Sequence, residues 1–245
     1  MKKSIAFIYG VIAYFIFLVA FLYAIGFVEN FIVPKSIDTG TETSLMQAFL
    51  INTVLLSLFA IQHSVMARPE FKKWWTSIIS PVIERSTYVL LSSLALFLLY
   101  WQWQPMPSIV WNIESESAVM IINGICFFGW IVVLLSTFMI NHFELFGLKQ
   151  IFENLKGKQS QRPTFKINYL YKIVRHPIMM GFIIAFWATP RMTMGHLLFS
   201  LTTTIYIFIA VKFLEEKDLR KYYEKEYEDY QKSVSMLFPF IGKRN

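Results

Sequence analysis

The chain has 245 residues, 56% apolar and 18% aromatic but only 16% charged, against about 25% charged in an ordinary soluble domain. Mean hydropathy is +0.48, and the apolar residues lie in long blocks, so one membrane-embedded domain covering 1–245 is expected. A single cysteine, Cys126, excludes a disulfide framework and a CxxC zinc pattern, and the 10 glycines form neither GxGxxG nor GxxxxGK[ST].

A bilayer core of about 30 Å needs roughly 20 apolar residues in a helix. Residues 5–27, 45–65, 87–103 and 118–140 meet this almost without charge. The first block is too long, and too weakly followed by small cleavage-site residues, for a removable signal peptide. A fifth apolar region, 177–214, is about twice the needed length and is interrupted by Ala188-Thr189-Pro190-Arg191, which predicts a helical hairpin. Its first arm, 177–189, is short, so it either crosses tilted or partially or re-enters on the same side. The expected fold is an all-α, polytopic integral membrane protein of five to six transmembrane helices ending in a cytoplasmic C-terminal helix.

Positive charge concentrates on cytoplasmic loops. With both termini inside, every lysine and arginine of the 23 except Lys35 and Arg191 falls on the inner side. The net charge of +7 is therefore read as a topology signal, with no nucleic-acid partner expected. This predicts a multi-pass protein of the cell (inner) membrane with its active site near the cytoplasmic face.

From Leu214 the sequence turns charged, and Glu216, Leu219, Tyr223, Tyr227 and Tyr230 recur at helical spacing. This predicts one stripe, either lying on headgroups or closing a pocket, with Pro239 ending regular structure.

Ionisable groups at the ends of spans are costly to bury and mark candidate sites. They gather at one level: Gln62-His63-Ser64, Glu84-Arg85 with Tyr88, Asn141-His142-Phe143-Glu144, Arg175-His176-Pro177 and Glu215-Glu216. Proline favours the first helical position and disfavours helix in the residue before it, so His176 should cap a helix whose start suits a carboxylate or phosphate. Gly181, one turn in, leaves room for a helix or a ligand. Glu215 and Glu216 suit an ammonium group or ribose hydroxyls. His196 is expected to be a hydrogen-bonded packing residue. The four histidines, at 63, 142, 176 and 196, show no HxH or HExxH spacing, so no metal site is expected.

These residues also carry a resemblance. RHPIMMG at 175–181, then EEKDL at 215–219, Tyr227, Tyr230 and Pro239 resemble the C-terminal cofactor region of membrane methyltransferases that use S-adenosylmethionine, such as isoprenylcysteine carboxyl methyltransferase and phospholipid N-methyltransferases. QHSVMARPEFK, ERSTYVLLSSLAL, WQWQP, NHFELFGL and FWATPRMTMGHLLF extend the resemblance over nearly the whole chain, to bacterial methanethiol S-methyltransferases. Proteins encoded with denitrification genes share part of the pattern. Met179-Met180 stand where the broader enzymes often carry a tyrosine before the glycine.

The resemblance implies methyl transfer from S-adenosylmethionine to methanethiol, a small volatile thiol, giving dimethyl sulfide, with membrane lipid as the surrounding partner. It implies a cofactor region at about 141–240, in which Arg175, His176, Gly181, Glu215, Glu216, Tyr227 and His142 bind the cofactor. The thiol must lose a proton, and a histidine is the usual base. The expectation is that His63, oriented by Glu84 or Tyr88, takes it, while Arg68 or Arg85 stabilises the thiolate. The alternatives are another acceptor (a different thiol, a lipid amine or a prenylcysteine carboxylate) or a non-catalytic accessory protein on the same scaffold.

Overall fold

The computed structural model describes residues 2–158 and 165–241; Arg162, Lys243 and Arg244, used in the topology reading, lie outside them. Among the described residues, five helices are long and apolar enough to cross a membrane: α1 (Lys3–Glu29), α2 (Leu45–Ala67), the later α4 (Pro81–Gln102) and α5 (Glu116–Ile140), and a last one over Met194–Tyr223. Backbone contacts divide the chain into two compact units, Met1–Pro107 with Asn141–Arg162, and Ser108–Ile140 with Pro163–Asn245.

In the first unit α4 packs against both α1 and α2. The helix starts follow local rules. The Ser44 side chain accepts from Gln47 N–H at 3.3 Å to cap α2, and Ser80 accepts from Val82 N–H at 3.4 Å ahead of Pro81 in α4. Serines 86, 92 and 93 on α4 are buried while Leu94 and Leu98 face outward, so small polar residues face the neighbouring helices, a pattern of helix packing in lipid. The short helices α3 (Pro69–Trp75), α6 (His142–Leu145) and α7 (Leu148–Leu155) complete this unit. Gly147, at φ +88°, turns the chain from α6 into α7 close against the Ser86 backbone.

In the second unit α5 packs along α8 (Pro177–Trp187). Gly181 allows this: a Cβ there would stand 2.8 Å from the Gly129 carbonyl oxygen and 2.9 Å from Val133 N. At 11 residues, α8 is about 16 Å long, roughly half a bilayer core, as the short first arm of the hairpin suggested. The chain then turns through β2 (Arg191–Thr193), which pairs antiparallel with β1 (Ile109–Asn112). This small ribbon was not anticipated, and it pairs backbone groups at Met192 and Thr193, which are buried. The last long helix runs as α9 (Met194–Ile209), a π-helical stretch at Ala210–Glu215 and α10 (Glu216–Tyr223).

The expected uninterrupted tyrosine stripe is corrected. Glu224 adopts φ +49°, a left-handed conformation rare for a non-glycine residue, and breaks the helix before α11 (Lys225–Ser233). Tyr227 and Tyr230 still share a buried cluster with Val234, against which Leu219, Tyr223 and Phe165 pack.

Candidate active site

The second unit holds the densest ionic cluster. Pro177 at the first position of α8 forces His176 to a non-helical cap (φ −127°, ψ 65°), turning Arg175 and His176 into the protein. Residues 234–236 lie alongside as a strap: Val174 and Ser235 form a parallel bridge, and the N–H groups of Arg175 and His176 donate to the carbonyls of Ser235 and Met236 at 2.8 and 3.1 Å. Leu237, fully buried beside Ile183, Ile207 and Val211, anchors the strap.

Glu216 is the hub. Its carboxylate accepts from Arg175 Nε at 2.6 Å, lies 2.6 Å from Arg175 Nη2 and 3.3 Å from His176 Nε2, and accepts from Gln231 Nε2 at 2.9 Å and Tyr227 Oη at 3.4 Å. Arg175 is 5% exposed and also donates to the carbonyls of Gln231 and Val234. A buried ion pair repays its desolvation only when its remaining donors and acceptors are also satisfied, as they are here. The π-helical stretch re-phases the helix just before this point, a device common at functional sites. Adjacent glutamates thereby serve one imidazole: Glu215, half-exposed, lies 3.5 Å from Nδ1, and Glu216 faces Nε2.

Burial alone would lower the His176 pKa, but the charge and hydrogen bonds of Glu215 and Glu216 raise it to about 9, so the imidazolium persists at neutral pH. Burial, and next the two glutamates, push the Tyr227 phenol up, keeping it a donor. Tyr227 thus packs onto Glu216 itself, where the sequence reading had the stripe either lying on headgroups or closing a pocket. Gly181 serves a neighbouring helix, α5, the first of its two anticipated uses.

The first unit holds a second constellation. Tyr88 Oη lies 2.9 Å from His63 Nε2 and 3.0 Å from Nδ1, and Ser92 Oγ lies 3.3 Å from Nδ1. Phe59 stacks on the imidazole at 5.3 Å. Of the two residues expected to orient His63, Tyr88 makes the contact; Glu84 sits a turn earlier, in the first turn of α4, where its charge suits the helix N-terminus. Of the two arginines, Arg85 lies 5.2 Å from the Tyr88 ring centroid and donates to the Leu145 carbonyl at 2.7 Å. Arg68 Nε donates back to the Ser64 carbonyl at 3.0 Å, held by its own helix end.

His142 also falls in the first unit. Its Nε2 lies 2.7 Å from Tyr14 Oη, with Phe146 at 4.8 Å between ring centroids. Burial lowers its pKa, so it is neutral. His196 packs as expected, with Nε2 2.9 Å from the Phe186 carbonyl oxygen. Sequence reasoning missed Gln231, Ser92, Tyr14 and the strap. Gln231 follows Glu216 by 15 residues, across the break at Glu224, and was one apparently solvated polar residue among many.

The family model described as NnrU protein matches residues 51–237. The chain belongs to the NnrU family. Within it, this NnrU-family chain is 56% identical over 238 residues to methanethiol S-methyltransferase 1 of Bradyrhizobium diazoefficiens, covering 97% of this chain and 83% of that protein. It is 51% identical to methanethiol S-methyltransferase of Mycobacterium tuberculosis, covering 98% of each, and 47% identical to the protein of that name from Crocosphaera subtropica, covering 100% and 96%. No solved structure matches the NnrU-family chain.

Proposed function

We propose that this membrane enzyme methylates methanethiol, using S-adenosylmethionine and releasing dimethyl sulfide, S-adenosylhomocysteine and a proton. The observation that carries the reading is identity of 46–56% over most of the chain to several relatives named methanethiol S-methyltransferase. We further place it in the cell membrane with both termini and the site at the cytoplasmic face, and read 1–245 as one functional domain.

The second unit's cluster fits the proposed cofactor in part. The Ser235 hydroxyl is buried without a hydrogen-bond partner among the described residues, beside the start of α8, and suits the cofactor's carboxylate. Half-exposed Glu215 suits its ammonium. Arg175, Glu216 and Tyr227 saturate one another, so their part is to hold His176, Glu215 and Ser235 in place. When bound, S-adenosylmethionine supplies an electrophilic methyl group that needs no metal.

The chain's own chemistry is thiol deprotonation. His63 takes the thiol proton, Tyr88 holds its imidazole, and Arg85 rather than Arg68 lends positive charge near the Tyr88 ring. Positioning and exclusion of water supply the rest of the acceleration. Headspace gas chromatography of the detergent-purified protein with S-adenosylmethionine and methanethiol should detect dimethyl sulfide, absent from a boiled control. His63→Ala should lower turnover by 10²-fold or more while leaving S-adenosylhomocysteine binding intact. Binding without dimethyl sulfide from the unaltered protein refutes the acceptor; neither signal refutes the enzyme.

A further inference from the structure

The other end of the first unit carries a feature the reaction does not use. The C-terminal parts of α1 and α4 and the loop after α1 border an open groove of about 580 Å³, lined by Tyr23, Lys35, Leu94, Phe97, Leu98 and Trp101 among others. Leu94 is 48% and Trp101 72% exposed, an apolar surface suited to hydrocarbon. Lys35 is fastened at its mouth: its carbonyl accepts from Tyr23 Oη at 2.9 Å, its N–H donates to the same oxygen at 3.3 Å, and its Nζ donates to the Trp101 carbonyl at 2.5 Å. An ammonium has three donors, and that carbonyl takes one.

No other lysine or arginine occurs in residues 30–44 or 98–107. The first of these stretches carries two acids, Asp38, which accepts from Asn30 Nδ2 at 2.9 Å, and Glu42, and Lys35 is the charged residue that lines the groove. A fixed cation therefore stands above an apolar groove, among the tyrosine and tryptophan side chains typical of the headgroup level. Burial lowers the Lys35 pKa, a cost that a neighbouring anion would remove.

We propose that this groove is a binding site for one anionic phospholipid, its acyl chain against Leu94 and Leu98 and its phosphate on the Lys35 ammonium. Charge complementarity selects the lipid class, since a zwitterionic headgroup brings a compensating cation to the same position.

The test is competition between lipids. The full-length protein is equilibrated with equal amounts of phosphatidylglycerol and phosphatidylcholine in mixed micelles and repurified, and its retained lipid is quantified by mass spectrometry. Phosphatidylglycerol should be enriched about fivefold, the discrimination expected of one interfacial cation. Lys35→Gln, which removes the charge, and Leu98→Trp, which fills the groove, should each abolish the enrichment. Thermal unfolding and S-adenosylhomocysteine binding report on their fold. Absence of enrichment in the unaltered protein, or enrichment that survives either substitution in a folded variant, overturns the proposal.

Discussion

His176 shows how one side chain's charge becomes part of the fold. An imidazole at 5% exposure ordinarily stays neutral because burial penalises the cation, yet Glu215 and Glu216 hold its pKa near 9, against about 6.5 in an unfolded chain. The protonated form is therefore favoured by folding, and the resulting stability is complete below pH 6.5. It is lost as pH rises from about 6.5 to 9, where the unfolded chain gives up its proton first. Thermal unfolding followed by intrinsic fluorescence should show the midpoint declining across that window, by up to about 3 kcal/mol of stability. His176→Gln should flatten this part of the profile; an equally steep decline in the variant would assign the effect to another group.

At the scale of elements, α8 depends on its approach to α5. Gly181→Ala ordinarily gains about 1 kcal/mol in a helix. Here the new Cβ would meet the Gly129 carbonyl oxygen and Val133 atoms at under 3 Å, and backbone cannot move aside as a flexible side chain can. Overpacking of this kind costs about 1–3 kcal/mol, so the net change should be a loss, read as a lower unfolding midpoint for Gly181→Ala than for the unaltered protein. A rise would show that the helices can separate freely. The π-helical stretch matters at the same scale, because it carries no sequence signature of its own. The positions of Glu215 and Glu216 were readable, whereas their sharing of one imidazole was not.

Across the whole molecule, hydropathy and helix punctuation carried most of the architecture. The blocks ending near Ala67, Trp103 and Ile140 and the Pro177 start were visible locally, whereas the Ser44 and Ser80 caps went unread. Partners chosen by tertiary packing were not: Gln231 on Glu216, Tyr14 on His142, Ser92 on His63, and the strand of residues 191–193 pairing across to 109–112. Nothing in their local spacing marks them, since each partner lies 15 or more residues away in the sequence. The positive-inside reading makes a prediction for the entire chain. In a Cys126→Ala background, a cysteine at Glu42 should react with a membrane-impermeant maleimide added to intact cells, and one at Lys158 only after permeabilisation. The reverse pattern would invert the topology and move the candidate site to the opposite face.

The strap at 234–236 also has a consequence for biosynthesis. Residues 231–236 are the last part of the cluster to be synthesised, so a chain cut short before Gln231 has no carbonyls at 231 and 234 to receive the Arg175 guanidinium. In such a chain Arg175 can meet Glu216 but not its full set of acceptors, and His176 lacks the carbonyl that accepts from its N–H. The ionic cluster is therefore completed only by the strap, and a chain that stops before Gln231 keeps the Arg175–Glu216 ion pair but leaves guanidinium donors without their backbone acceptors.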